Sequence, residues 1–400
     1  MGKNKVYRGY KSWSFLEEGK DYRKFRLAKE IGRVPSKAIP LSKAEEERFE
    51  SFLENNIVVS VHDHSLVYPE DPGEFMEYAR TGRPFIGYEG LSASGLDAVF
   101  ENMMDGETYT YSPDSWSWEN QVFQIGMIQS DVDHQDMVFI GRRVEDIERA
   151  HNEGKIAMIL SLESAPSIGD DIAKIDALYG LGVRVMGVVY GNNNEFGSGL
   201  TSKKDNGLTD LGYGLIERCN KLGILIDVSH AGDRTGMEAV EASKYPVVVT
   251  HAGARALWPT RRMKPDELIH AIAEKGGFFG IEAAPHSTLT KNHPVHSIES
   301  VMEHFQYVEK LVGIDHVAFG PDTLFGDHVA YHKIFGGASA LKALYDLAPN
   351  FKSVEYVDGL ENPSEFSNII RWMIKNGYSD EEISKAVGGN VIRVLKSTWI

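Results

Sequence analysis

A single cysteine, Cys219, among 400 residues rules out an internal disulfide and a thiolate metal cluster. No apolar run approaches the length that spans a bilayer, and the opening MGKNKVYRGYKSW lacks the apolar stretch of a secretory signal. The Met-Gly start does not make a myristoylation motif, since Val6 stands where Ser or Thr is required. Basic residues are the scarcer charge: 42 Lys and Arg face 58 Asp and Glu, a formal net charge of −16. Such a surface repels phosphate backbones and anionic lipid, which sets nucleic acid and membranes aside as partners. No G-x-G-x-x-G follows the first strand and no G-x-x-x-x-G-K-S/T occurs, so dinucleotide and P-loop readings have no support. Together these absences leave the expectation of a cytoplasmic protein.

What is present is a periodic alternation. With 42% hydrophobic residues the chain can bury a large core. Short β-branched or apolar runs predict buried parallel strands at 57–61, 122–128, 156–162, 183–189, 224–228, 246–250, 277–281 and 316–319. Amphipathic stretches at 144–153, 171–181, 211–222, 234–242 and 265–275 separate most of them. Gly154, Gly182, Gly223, Gly276 and Gly313 each precede a strand, the usual close of a helix. Eight strands alternating with helices predict an α/β fold, a closed (β/α)8 TIM-type barrel rather than an open doubly wound sheet. Residues 1–55, with a polar helical stretch at 42–55, read as an N-terminal extension packing on the barrel or a partner subunit. Residues 56–400 read as the barrel, ending in C-terminal helices at 363–376 and 380–400. The aromatic stretch 109–119 (YTYSPDSWSWE) reads as an elaborated loop near the barrel mouth.

Ionisable residues recur just past the strands: His62-Asp63-His64 after the first, Glu163 after the third, His230 after the fifth, His251 after the sixth and Asp322 after the eighth. All strand C-terminal ends of a barrel open on one face, so these residues converge. His62 and His64 are two apart and point to the same side, with Asp63 turned away. A lone strand-end histidine is more often a hydrogen-bonded core or rim group than a ligand. Several ionisable groups buried in one mouth, however, need a partner, and a divalent cation is the economical one. Imidazole and carboxylate without sulfur suit Zn2+, as one or two ions, with Mn2+, Co2+ or Fe2+ as alternatives.

The stretches LYGLGVRVMGVVYGNNN, GLTDLGYGLIERCNKLGILIDVSHAGDRT, PVVVTHAGARAL, GIDHVAFGPD and GYSDEEISKAVGGNVIRVL resemble the membrane (renal) dipeptidase family of zinc peptidases, within the amidohydrolase-like barrels. The resemblance runs from the first strand to the C-terminus and is densest over 156–322. It implies first-metal ligands at His62 and His64, a bridging Glu163, second-metal ligands His230 and His251, and a catalytic Asp322. It also implies that Arg262, in TRRM beside Arg261, holds a substrate carboxylate. Two positions depart from the family pattern: His64 replaces an aspartate, and Tyr190 replaces a histidine that helps bind the scissile carbonyl oxygen. Glu282 and His286 also follow the seventh strand, as rim residues or substrate contacts. The implied function is a metal-dependent, dipeptidase-like hydrolase that cleaves a peptide or amide bond in a small carboxylate-bearing substrate with a metal-activated water. Tyr190 would help stabilise the oxyanion and Asp322 would shuttle the proton. The departures keep open a non-peptide bond (cyclic amide, ester or carbamate) or a decarboxylation, and a catalytically idle metal-binding barrel is a third reading. Family habit points to a homodimer or higher homo-oligomer.

Overall fold

Strands covered on both faces need side chains that are apolar without interruption, and the sequence supplies them most clearly in IAMILSL, buried throughout. The computed structural model describes residues 5–103, 117–334 and 352–399. The strands are β1 (Val59–Asp63), β2 (Ala98–Met103), β3 (Val138–Ile140), β4 (Ile156–Leu162), β5 (Val183–Gly187), β6 (Leu225–Asp227), β7 (Val247–Ala252), β8 (Phe279–Ile281) and β9 (Val317–Phe319). Eight of them pair in the order β1-β2-β4-β5-β6-β7-β8-β9, with β3 off this path against the start of β4. Every pairing is parallel. The ring is nearly closed by the segment after β9. The amide of Asp322 donates to the carbonyl of His62 (3.0 Å), and the amide of His64 donates to that of Thr323 (2.9 Å). This is the expected (β/α)8 barrel.

Alternation along each strand divides the core in two. Val59, Val61, Ala98, Phe100, Ala157, Ile159, Val185, Leu225, Val248, Phe278 and Ala318 form one cluster, inside the barrel. Their neighbours, such as Val99, Met158, Leu160 and Ile226, belong to the larger cluster outside, against the helices. Continuing the inner phase upward by twos reaches Asn102, Glu163, Asp227, Thr250, Glu282 and Asp322. The barrel floor is closed by the last helix, whose Val391, Val394 and Leu395 join the inner cluster. The turn before it packs tightly, since a Cβ on Gly388 would lie 2.1 Å from the carbonyl of Ile57.

One predicted strand is wrong. Residues 122–128 lie within the helix Trp118–Val132, and β2 takes the second place in the barrel. The buried positions Gln121, Ile125, Ile128 and Val132 fall at helical spacing, while Phe123 is exposed. The true strand was hidden by Glu101 and Asn102, which break its apolar run. The five predicted closing glycines all take positive φ. The tail is more broken than expected: Pro363–Glu365 and Ser367–Lys375, then Asp380–Ser384, Lys385–Gly389 and Asn390–Thr398. Of the aromatic stretch, 109–116 lie outside the described residues, and Trp118 begins the helix capped by Ser117.

Residues preceding the helix Lys43–Asn55 run over the barrel's side. Lys5 pairs with the buried Asp97 at 2.8 Å. Trp13 is buried, its Nε1 donating to the carbonyl of Pro84 (2.7 Å). Asp131, fully buried, gathers four donors: the Tyr10 hydroxyl (2.7 Å), the Ser12 hydroxyl (2.6 Å), the Trp13 amide (2.9 Å) and the Tyr88 hydroxyl (3.0 Å). Removing this acceptor strands several buried donors at once, each an uncompensated desolvation. Asp131→Ala is therefore expected to cost about 3 kcal/mol or more of unfolding free energy in urea titrations, and Asp131→Asn less. A loss of under about 1 kcal/mol would show that this network does not anchor the N-terminal segment.

Candidate metal centre and active site

The inner phase of the strands ends in polar residues, and two irregularities in pairing re-aim the histidines. The β1–β2 register shifts between Ser60 and Asp63, and the β7–β8 register shifts between Val249 and Ala252. Strict alternation from the inward Val59 and Val61 would turn His62 away. The shift brings it back, as bulges beside active sites commonly do. Gly320 makes the approach possible, since a Cβ there would lie 2.8 Å from the Cβ of His62. A Cβ on Gly187 would lie 2.0 Å from the carbonyl of Glu163, so bare backbone is needed there too.

Six predicted residues converge. His62 Nε2 and His64 Nε2 each lie 3.2 Å from Asp322 Oδ1. Glu163 Oε1 lies 2.8 Å from His230 Nε2 and 3.3 Å from His251 Nε2, and those two nitrogens are 3.0 Å apart. The rings of His62 and His251 stack at 3.4 Å, linking the two halves. Potential ligand atoms fall together within 4.8 Å in three groups: His62, His64 and Asp322; His62, Glu163 and His251; and His251, Glu282 and Asp322. Asp322 holds a positive φ of 58°, a backbone state uncommon outside glycine and typical of functional positions.

The hydrogen bonds fix which ring nitrogens face inward. His64 Nδ1 lies 2.9 Å from the carbonyl of Asn102, which can only accept, so Nδ1 carries the proton. The Thr250 hydroxyl donates to Asp227 (2.7 Å), so His251 Nδ1, 2.9 Å from the same oxygen, must donate to it. Both rings therefore present an Nε2 lone pair to the site. Burial holds His62 below the usual histidine range, and His230 and His251 well below it, which favours neutral rings. A lone pair on His64 Nε2 facing a carboxylate oxygen is repulsive unless a cation sits between them. Glu163 agrees: its Oε2 is buried without a hydrogen-bond partner among the described residues. Burial, and then the charge of Asp322, push Glu163 up to about 8, a shift that a bound cation reverses. The donor set fits a divalent metal.

The outer support was not predicted. Asp63 turns away from the two histidines, as expected, and accepts from the Ser60 hydroxyl (2.5 Å) and from the Thr323 amide (2.9 Å) and hydroxyl (2.7 Å). It thereby fixes the residue next to Asp322. Asp227 accepts from the Ser229 amide (3.0 Å) and the Thr250 amide (3.0 Å), so that DVSH and VVTH form one network beneath His230 and His251. Buried Lys264 donates to the carbonyl of Ala231 (2.7 Å), steadying the segment that carries His230. Polar residues inside otherwise apolar strand ends were the available signal for Asp63 and Asp227, whereas Lys264 lies between β7 and the helix Asp266–Glu274. Asn102, whose Nδ2 lies 3.4 Å from His62 Nε2, was lost with the misread second strand.

The remaining predicted residues line the same mouth. Tyr190 stacks on His230, with ring centroids 4.2 Å apart. Arg262 donates to the carbonyl of Ser229 (3.2 Å) and contacts the buried Glu282, whereas Arg261 points to the Ser202 carbonyl (2.7 Å) and is exposed. Burial pushes Glu282 up to about 7. His286 stands farther out, its Nε2 accepting from the Val354 amide (3.1 Å).

Residues 108–344 and 327–399 match the membrane dipeptidase family, peptidase family M19. The chain belongs to this family. A dipeptidase from Claviceps purpurea, tcpJ, is 26% identical over 276 residues, 68% of this chain and 58% of that protein. A dipeptidase from Aspergillus oryzae, aclJ, is 27% identical over 277 residues, 68% of this chain and 59% of that protein. The match thus spans under two thirds of these relatives' length. An amidohydrolase from Pseudomonas aeruginosa superposes with a TM-score of 0.69 at 25% identity, covering 88% of this chain and 99% of that one. A metallo peptidase from Rhodobacter sphaeroides, solved with a phosphinate mimic of the dipeptide L-Ala-D-Ala, shares the fold at TM-score 0.66 and 19% identity over 86% of this chain and all of that one. No helix among the described residues is long and apolar enough to cross a membrane.

For this M19 chain, a ligand that binds only the native state adds stability, about 4 kcal/mol when present at about a thousand times its dissociation constant. Dialysis against a chelator is expected to strip metal, read by elemental analysis, and to lower the melting temperature, with restoration on adding the ion back. An unchanged melting curve, with no metal released, would remove the metal assignment.

Proposed function

We propose that the protein is a dipeptidase-like hydrolase that uses one or two Zn2+ ions to cleave a peptide or amide bond in a small substrate. The observation that carries this reading is the convergence of inward Nε2 lone pairs from His64 and His251 on Glu163 and Asp322 in one buried mouth. In this reading His62 and His64 would hold one ion and His230 and His251 the other, with Glu163 as a further ligand in reach of both sets. A bound ion of this kind supplies a more acidic water and positive charge for a carbonyl oxygen. The names of the relatives, dipeptidases and a metallo peptidase, support the same reaction class.

The chain's own groups divide the remaining work. Asp322, 3.2 Å from His62 Nε2 and His64 Nε2, accepts the proton of the attacking water and returns it to the leaving nitrogen. Tyr190, fixed by stacking on His230, offers a neutral phenol as hydrogen-bond donor to the carbonyl oxygen where the family pattern has a histidine. Arg262 receives the polar end of the substrate, its guanidinium suited to a carboxylate. A second reading keeps the site and changes the bond to a cyclic amide or ester. It is favoured by Tyr190 and by the contact of Glu282 with Arg262. The single cysteine, Cys219, is free and buried, and the absence of any possible internal disulfide supports a cytoplasmic setting.

The test is product analysis by mass spectrometry, with Zn2+-loaded protein offered dipeptides, N-acyl amino acids and cyclic amides. Asp322→Asn is expected to reduce turnover at least about 100-fold while metal content and melting temperature hold. Equal turnover in the variant would remove Asp322 from the mechanism, and silence across the panel would remove the hydrolase reading.

A further inference from the structure

Past β8 the inner phase of the strand runs Phe278, Gly280, Glu282, and so delivers a carboxylate into the mouth. Glu282 is fully buried. Its Oε2 contacts Arg262 Nη2, while its Oε1 has no hydrogen-bond partner among the described residues. The Ser287 hydroxyl also approaches the carboxyl, but its one hydrogen is directed to the carbonyl of Ala284 (2.7 Å). A carboxylate oxygen of Glu282 also lies within 4.8 Å of ligand atoms of Asp322 and His251. Glu282 therefore stands between the reacting centre and the guanidinium that receives the substrate's polar end.

This placement alters what the end pocket recognises. A lone arginine is an anion site. Arginine paired with a buried glutamate has little net charge, and its remaining N–H groups lie beside an oxygen that still needs a donor. A simple carboxylate entering there meets a second carboxylate. A group carrying a carboxylate and a nearby cation satisfies both residues at once.

We propose that Glu282 is a specificity-determining residue that selects substrates whose leaving half bears an ammonium or other strong hydrogen-bond donor close to its carboxylate. The inference rests on the hydrolase reading and on Arg262 as the carboxylate contact. Because Glu282 and Arg262 touch, the donor must sit within about two hydrogen-bond lengths of the carboxylate, about 6 Å, which calls for a short side chain.

The experiment compares Gly-Ala with glycyl-2,3-diaminopropionate, whose β-ammonium is the added donor. It also measures calorimetric binding of the two leaving halves as their uncleavable Nα-methanesulfonyl derivatives, alanine and 2,3-diaminopropionate with the α-nitrogen uncharged as in the dipeptide, to the Zn2+-loaded protein. The wild type is expected to favour the diamino compound about tenfold or more in kcat/KM and in Kd. Glu282→Gln, nearly the same in shape but uncharged, should bring both ratios close to one. Should that variant fail to fold, Glu282→Asp, which keeps the charge and withdraws it by one methylene, should retain part of the preference. If the wild type favours alanine, or Glu282→Gln leaves both ratios unchanged, the proposal is overturned. If neither dipeptide is cleaved but the binding preference and its loss are seen, the hydrolase reading fails and the selection by Glu282 stands.

Discussion

Among the described residues four imidazoles and three carboxylates share one buried barrel mouth, and the cost of holding them together there constrains what is built around them. Each ionised group taken out of water without a partner costs several kcal/mol, and hydrogen bonds within the set do not supply enough protons to pair every lone pair. The protonation of His64 and His251 on Nδ1 makes this concrete. Their Nε2 atoms face the carboxylate oxygens of Asp322 and Glu163 at 3.2 and 3.3 Å with no ring hydrogen between. A divalent cation resolves the conflict, and the outer contacts that set the tautomers are there for the same reason. Metal-ligating histidines commonly donate their second nitrogen to a carbonyl or a hydrogen-bonded side chain, which orients the ring.

The barrel serves that cluster by where it closes. The hydrogen bonds between the ends of β1 and β9 are made by His62, His64, Asp322 and Thr323 themselves, so closure and assembly of the site are one event. Asp63 adds side-chain bonds across the same seam. The positive φ of Asp322 is thereby sustained by bonds on both sides, an example of local strain held by surrounding structure. A seam of this kind explains why glycine occupies position 320, where any side chain would force β9 from β1.

Much of this was legible before any coordinates. The run 156–162 gives β4 with its observed bounds and six other strands lie within a few residues of theirs, because fully buried parallel strands read as unbroken apolar runs. The six converging residues were legible because strand ends share one face. What escaped did so for definite reasons. β2 carries Glu101 and Asn102 in its outgoing half, which destroys the run, while the helix Trp118–Val132 offers a short window rich enough in apolar residues to imitate a strand. The pairing irregularities in β1 and β7 leave no mark in composition, yet they decide where His62 points. The support from Asp227, Thr250 and Asp63 depends on contacts between strands far apart in sequence, which period-two reasoning places on a face but not in a network.

Glu282 ties recognition to the ionisable cluster. Its carboxylate lies within 4.8 Å of ligand atoms of His251 and Asp322 and contacts Arg262. A carboxylate so placed offsets the arginine's attraction for a simple anion and at the same time adds negative charge beside the imidazoles. The cluster and the end pocket therefore share one charge, and a change at Glu282 acts on both.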